Sequence, residues 1–592
     1  MSASMLWTRG AGLPEHWRPI DRLLHRWVRT HGGDETLARL AGALSAAEGE
    51  GHTALAASEA ERFGADWPEA SVWQHWRMQG WVGELDGETP FVLDVDVRFY
   101  LRRHAEAERA VARRLAALAA GPAAHSTPAA RDDVALDETA LDALLGGAGD
   151  GRDAAQREAV RRCGDAGLFV LTGGPGTGKT TTVLRMLLAR LRANDAARIA
   201  IAAPTGKAAQ RLAQALRDGS AALPAALRAD PRWAESVARF VVPEARTLHR
   251  LLGFRPNANA FAHGARNPLD LDLLVVDEAS MLDLDLLRAL CAALPAHAAL
   301  WLVGDADQLS PVGPGSALQD LVQAVDGRAA APLVRLRHGF RSGSALSTLN
   351  EALRRGDGDA ARAAFAASDA LAWNTRTDAS ALFGAIDDWA DALLETTPEP
   401  LPRGDATAAA RDALSRLRER QWLCALRQGP LGVEAVNARI DARLRRDAER
   451  HGRPVVDGHY PGRRVLITRN DTDTGLVNGD VGLCLEDAEG TLRLHVEHSG
   501  GVRAYGLGAL PAHEPAFAMS IHKSQGSEYA HVAVLLPDDP NHRLLSRELL
   551  YTAASRARER LDLHASADVI DAALARPVRR MGGLHARLAE AL

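Results

Sequence analysis

The chain predicts an α/β fold: two parallel-sheet domains, a small β-barrel inserted in the second, and a mainly helical N-terminal domain ahead of both. Three observations predict it. Short apolar runs alternate with helical stretches from residue 168 onward (Leu168-Phe-Val-Leu171, Ile199-Ala-Ile201, Leu273-Leu-Val-Val276, Ala299-Leu-Trp-Leu-Val303), the pattern of buried parallel strands joined by crossover helices. A glycine-rich segment directly follows the first of these runs. Residues 455–512 break the pattern with alternating strands, Arg464–Thr468, Gly482–Leu485 and Leu492–Val496, and with Asn478-Gly479 as a tight-turn signal.

At 592 residues the chain exceeds what one hydrophobic core supports, so several domains are expected. Residues 1–120 carry seven of the twelve tryptophans, Trp7, Trp17, Trp27, Trp67, Trp73, Trp76 and Trp81. Tryptophan fills small cores and also anchors interfaces, so this region is read as a docking domain. Arg98 to Ala120 predicts one long amphipathic helix. Residues 121–152, rich in Ala, Gly, Pro and Asp, predict a linker. The two parallel-sheet domains are expected over 153–335 and 336–592.

Net charge is −6, so the chain is no basic coat for nucleic acid, and a polynucleotide would have to meet a local groove. Cys163, Cys291, Cys424 and Cys484 are scattered singly, without metal-binding spacing. Reduced thiols in the cytoplasm are therefore expected. The N-terminus lacks a secretory h-region, and no long uncharged apolar run predicts a membrane span.

The segment Gly173-Gly174-Pro175-Gly176-Thr177-Gly178-Lys179-Thr180-Thr181 fits G-x-x-x-x-G-K-T between a strand and a helix. Glycines let backbone N–H groups approach phosphates, Lys179 reaches the β- and γ-phosphates, and Thr180 offers its hydroxyl to Mg²⁺. ATP with Mg²⁺ is the cofactor pair this chemistry implies. A metal carboxylate and a base must stand at a neighbouring strand end. Leu273-Leu-Val-Val-Asp-Glu278 offers Asp277 for the metal and Glu278 to activate water.

Further blocks follow in order: Leu302-Val-Gly-Asp-Ala-Asp-Gln-Leu-Ser-Pro311, His338-Gly-Phe-Arg-Ser342, Ala518-Met-Ser-Ile-His-Lys-Ser-Gln-Gly-Ser-Glu528 and Leu549-Leu-Tyr-Thr-Ala-Ala-Ser-Arg556. Together with the phosphate loop, this ordered set resembles the superfamily 1 helicases over residues 153 to about 565. The resemblance implies two RecA-like motor domains. By matching position, Gln156 corresponds to the reader of the adenine edge and Gln308 to the γ-phosphate sensor. Arg341 and Arg556 correspond to the arginine fingers, which neutralise charge on the transferring phosphoryl group. Gly526 and Glu528 correspond to residues beside the ribose. Ser520, His522 and Lys523 correspond to residues that meet the nucleic-acid backbone, as do Thr205, Lys207, Thr247 and His249. One polar turn, 520–528, would then touch both ligands.

Within that superfamily, Phe99-Tyr-Leu-Arg102, Thr247-Leu-His-Arg-Leu-Leu-Gly253 and Cys424-Ala-Leu-Arg-Gln-Gly-Pro-Leu-Gly-Val433 resemble the RecD family, the α subunits of exodeoxyribonuclease V. That resemblance implies a 5′→3′ motor on single-stranded DNA and duplex DNA ends. It implies the β and γ subunits, RecB and RecC, as partners in double-strand-break repair, with any nuclease in a partner. A stand-alone RecD-like helicase stays open, distinguished by unwinding without partners. So does a P-loop assembly factor without translocation, distinguished by hydrolysis that single-stranded DNA does not stimulate. Residues 253–267, with Asn257 to Asn259 flanked by Phe254 and Phe261, predict a short hairpin. Such a hairpin would suit a strand-separating wedge.

Overall fold

The computed structural model describes residues 12–121, 136–147, 153–164, 166–328, 331–337, 339, 345–375, 379–498 and 501–592. Among the described residues the N-terminal region holds four α-helices, Pro19–Thr30, Glu35–Gly49, Ala70–Met78 and Arg102–Ala119. It also holds a four-stranded sheet that the sequence did not announce, in the order Ala54–Ala56, Arg98–Leu101, Phe91–Leu93, Val82–Gly83. The long helix expected from Arg98 therefore begins at Arg102. Phe99 and Tyr100 are fully buried in a strand because aromatic residues pack well on a pleated sheet. Trp17, Trp73 and Trp76 are core residues, and Asp34 accepts the Trp76 indole N–H at 2.6 Å. Trp27 is 41% exposed; Trp7 lies outside the described residues.

Six parallel strands form the first lobe, in the order Leu333–Leu336, Leu168–Gly173, Ala299–Gly304, Leu273–Val276, Ile199–Ala203, Ala245–Thr247. Their apolar runs are buried on both faces. The helix Arg102–Ala119 and the C-terminal helix Leu584–Ala591 cover one face. Lys179–Ala193 covers the other, together with a helix inside the expected linker, Glu138–Leu145. That helix forms because Asp137 caps it and Ala140, Leu141 and Leu144 share one apolar face. The Ala-rich composition of the segment disguised a packed element.

In the second lobe, five parallel strands run in the order Leu371–Asn374, Ala557–His564, Tyr529–Leu535, Arg420–Cys424, Ala518–Ser520. An antiparallel five-stranded sheet is inserted between the fourth and fifth of these, in the order Gly501–Gly506, Leu492–His498, Val481–Glu486, Arg464–Ile467, His513–Pro515. Among the described residues no pairing joins its outer strands, so the expected barrel is an open sheet. The helix Ala406–Ser415 covers Leu483 and Leu485 on one of its faces, where a barrel would need the sheet to close on itself.

After the helix Ala567–Ala575 the chain returns to the first lobe. Arg580 donates to the carbonyls of Gly51 and Gly315 at 3.2 and 3.0 Å, and also to those of Gly313 and Pro311. The N–H of Thr53 donates to the Met581 carbonyl at 2.9 Å. This strap ties the N-terminal region, the first lobe and the chain end together.

Candidate nucleotide site and strand groove

The phosphate loop leaves the strand Leu168–Gly173 and enters the helix Lys179–Ala193. Gly176 and Gly178 have φ of +73° and +83°, which a side chain would strain. They let the loop wrap the helix N-terminus, where unpaired N–H groups and the helix dipole favour an anion. Lys179 Nζ crosses the loop and donates to the carbonyls of Gly173 and Gly174 at 2.6 and 3.1 Å. Thr177 Oγ1 donates to the Gly174 carbonyl at 2.8 Å. Gln156 is buried against this loop: its Nε2 donates to the Thr177 carbonyl at 3.5 Å, and its Oε1 accepts from Arg185 at 3.2 Å.

Asp277 and Glu278 follow the strand Leu273–Val276. Glu278 adopts φ 52° and ψ 40°, a left-handed conformation that costs a non-glycine residue on the order of 1 kcal/mol or more. The tight turn of residues 279–281 holds it there. Burial, and then the adjacent Glu278, push the Asp277 carboxyl up to about 6, against the pull of Lys179 and Arg211. Hard oxygen donors from Thr180 and Asp277 face one cavity, a set that suits Mg²⁺.

That cavity, about 390 Å³, is where the lobes meet. The first lobe gives it Pro175 to Thr181, Asp277, Glu278 and Gln308; the second gives Gly526, Glu528 and Arg556. A second cavity of about 630 Å³ lies on the other side of the loop, lined by Gly173 and Gly174 together with Arg335, Arg354 and Tyr551. Arg556 is only 3% exposed. It donates to the carbonyls of Thr552 and Ser527 at 3.1 and 3.2 Å and to Ser555 Oγ at 3.1 Å. Arg341 lies outside the described residues.

Several cross-lobe bonds involve residues the sequence did not single out. Arg211 donates to the Gly526 carbonyl at 2.6 Å and pairs with Glu528 at 3.0 Å. The N–H of Leu309 donates to Thr552 Oγ1 at 2.9 Å, and Gln525 Nε2 donates to the Leu309 carbonyl at 3.2 Å. Arg211 stands four residues after Lys207 on the same helix face, which is the one sequence signal that could have drawn notice to it.

The proposed strand contacts split between the lobes. Thr247 ends one strand and Thr205 lies two residues past the end of its parallel neighbour, and each hydroxyl caps the helix that follows, accepting from the N–H groups of Arg250 and Ala208 at 3.2 Å. Lys207 and His249 are exposed beside them. A Cβ at Gly206 would meet the side chains of Val477 at 3.7 Å and Thr247 at 3.9 Å, so the antiparallel insertion leans on the first lobe here. On the second lobe, Ser520 ends a strand and His522 and Lys523 begin a 3-10 turn. Lys523 Nζ pairs with Glu514 at 2.7 Å. Burial, and then Arg580, hold the His522 imidazole below its usual value. Phe254–Arg255 and Ala260–Phe261 form an antiparallel hairpin with Asn259 left-handed at its turn. His249 packs edge-on against Phe254, ring centres 5.5 Å apart.

A phosphate loop whose cavity is completed by an arginine from a second parallel-sheet lobe defines a two-lobed ATPase motor of the helicase type. The domain family described as AAA domain matches residues 156–314, and the one described as UvrD-like helicase C-terminal domain matches residues 515–563. The RecBCD enzyme subunit RecD of Mycobacterium tuberculosis (strain CDC 1551 / Oshkosh) is 41% identical over 441 residues, 73% of this chain and 72% of that protein. The protein of the same name from Haemophilus influenzae is 32% identical, over 72% of this chain and 71% of that one. The ATP-dependent RecD2 DNA helicase of Deinococcus radiodurans is 32% identical over 81% of this chain and 57% of its own length. The chain belongs to the RecD family of superfamily 1 helicases.

Proposed function

We propose that this chain is the 5′→3′ DNA motor subunit of an exodeoxyribonuclease V complex. It would assemble with RecB and RecC and act on duplex DNA ends in repair of double-strand breaks. One observation carries the proposal: Lys179, Asp277, Glu278 and Gln308 of the first lobe share a cavity with Gly526, Glu528 and Arg556 of the second. Residues 1–120 would be the docking domain, 153–335 and 336–592 the two motor domains, and the hairpin within 253–267 the wedge.

In this assignment Gly173 to Thr181 wrap the phosphates and Lys179 neutralises them. Thr180 and Asp277 hold Mg²⁺, which when bound supplies further charge neutralisation. Glu278 takes the proton of the attacking water. Arg556, with Arg341, neutralises charge developing on the γ-phosphoryl group. Gln156 reads the adenine, and Gly526 with Glu528 borders the ribose. Thr205, Lys207, Thr247, His249, Ser520, His522 and Lys523 hold the strand by its backbone, so binding should be salt-sensitive and nearly indifferent to sequence.

The test uses the chain with its co-purifying subunits and the other motor inactivated. Hydrolysis should rise with single-stranded DNA, and unwinding should need a 5′ overhang. Hydrolysis indifferent to DNA, or unwinding only from 3′ overhangs, would overturn the proposal. A stand-alone motor is the second reading, favoured by similarity over 81% of this chain to the Deinococcus radiodurans helicase. Brisk unwinding by the purified chain alone would select it.

A further inference from the structure

Asp305 directly follows the strand Ala299–Gly304 in the first lobe and is 1% exposed. Three donors reach its carboxylate. Gln308 Nε2 lies 3.0 Å from Oδ2, Tyr551 Oη lies 2.9 Å from the same oxygen, and the Asp307 N–H lies 3.2 Å from Oδ1. Gln308 belongs to the first lobe. Tyr551 comes from the helix Arg547–Ala554 in the second. A buried carboxylate is thus shared by side chains of both lobes.

The bond itself orients the amide: Gln308 turns its NH₂ toward Asp305, whose Oδ2 accepts. Its Oε1 then points the other way, where it is buried and has no hydrogen-bond partner. Leaving such an acceptor unpaired costs about 1–3 kcal/mol, so a natural protein keeps one where a ligand will meet it. Gln308 lines the cavity that also holds Lys179, Glu278 and Arg556.

Tyr551 sits where the lobes and the phosphate loop converge. A Cβ at Gly174 would come within 2.9 Å of its hydroxyl, so a side chain there would displace the Tyr551 ring. Burial, and then Asp305, hold the Tyr551 phenol far above its ordinary value, so it stays a donor. The bonds from Leu309 to Thr552 and from Gln525 to Leu309 grip the next residue of the same segment.

We propose that Tyr551 is a positioning residue for hydrolysis: through Asp305 it orients the Gln308 amide so that Oε1 accepts a hydrogen bond from the attacking water. This rests on the place of Gln308 in the nucleotide cavity and on Glu278 as the base of the proposed function. In that step the water oxygen bonds to the γ-phosphorus and the bond to the β–γ bridging oxygen breaks. ADP leaves with that electron pair, and Glu278 takes the water proton. Lobe position enters through the same contact. A rotation that withdraws Tyr551 frees the amide to turn, and the water loses its guide.

The test measures kcat and KM for ATP, at saturating single-stranded DNA, in the full-length chain and in Tyr551→Phe, Gln308→Ala and the double variant. Tyr551→Phe keeps the ring and removes one oxygen. It should lower kcat about ten- to a hundredfold, the scale of a misplaced reacting group, with KM unchanged. In the Gln308→Ala background it should change nothing further, because the two act as one unit. Asp305→Asn, which lets the facing amide turn either way, should reproduce the loss in kcat. Equal losses from Tyr551→Phe in both backgrounds, a rise in KM with kcat kept, or wild-type kcat in Asp305→Asn would each overturn the inference. Wild-type kcat in Gln308→Ala would instead remove the Gln308 assignment on which it rests.

Discussion

Lys179 and Arg556 are two cations on the wall of one cavity, held there in different ways. Lys179 bonds to carbonyls of its own loop, five and six residues away, and it is half-exposed. Arg556 is buried, held by the carbonyls of Thr552 and Ser527 and by a hydroxyl, all in the second lobe. The first is placed by backbone carbonyls of its own loop. The second reaches the nucleotide site only because the lobes close on each other. Under the proposed assignment, phosphate binding is built into one lobe and turnover depends on both.

The largest test of that contrast is Lys179→Ala. It should abolish DNA-stimulated ATP hydrolysis and leave the melting temperature almost unchanged, because the side-chain bonds lost are to carbonyls of its own loop. Turnover equal to wild type would end its assignment to the phosphates. Arg556→Ala should come next, slowing hydrolysis by roughly 10³–10⁵, the worth of an arginine finger. Nucleotide affinity, measured by fluorescent ADP titration, should stay near wild type. Near-normal rates would mean the second lobe does not reach the reacting phosphate.

Smaller effects sharpen the comparison away from the nucleotide. Replacing residues 256–262 by a Gly-Ser link removes the hairpin turn and Phe261, which is only partly buried against the first-lobe core. Duplex unwinding should fall while strand-stimulated hydrolysis persists, measured in a complex whose other motor is inactivated. Unchanged unwinding there would rule out the wedge. The smallest effect belongs to Arg211→Ala. Its side chain is 44% exposed, so its pair with Glu528 is worth at most about 1 kcal/mol. Turnover should change less than about fivefold, while single-molecule distances between the lobes broaden without nucleotide. A distribution identical to wild type would show that the pair does not help hold the lobes.

Much of the nucleotide half was legible because its signals are local. Gly176 and Gly178 are glycines at positive φ, and Leu273–Val276 is a buried strand whose end must present Asp277 and Glu278. The hairpin was legible for the same reason: Phe254 and Phe261 pair across a turn that only an Asn or Gly takes easily. Composition misled where packing overrode it. Ala140, Leu141 and Leu144 are core residues of a helix inside the stretch that read as linker. Phe99 and Tyr100 are strand residues in a stretch that read as helix.

By itself the sequence determined the strands of the first lobe, the parallel character of the two lobes and the glycine-rich loop. Each depends on periodicity or on spacing of a few residues, where backbone sterics and hydrogen bonding leave few choices. Only the tertiary structure decided which groups meet across the lobes. Asp305 and Tyr551 lie 246 positions apart, as Arg211 and Gly526 lie 315 apart. No local pattern encodes such a pair. Each arises because two separately folded sheets bury a common boundary, where a polar atom must find its partner from the other side.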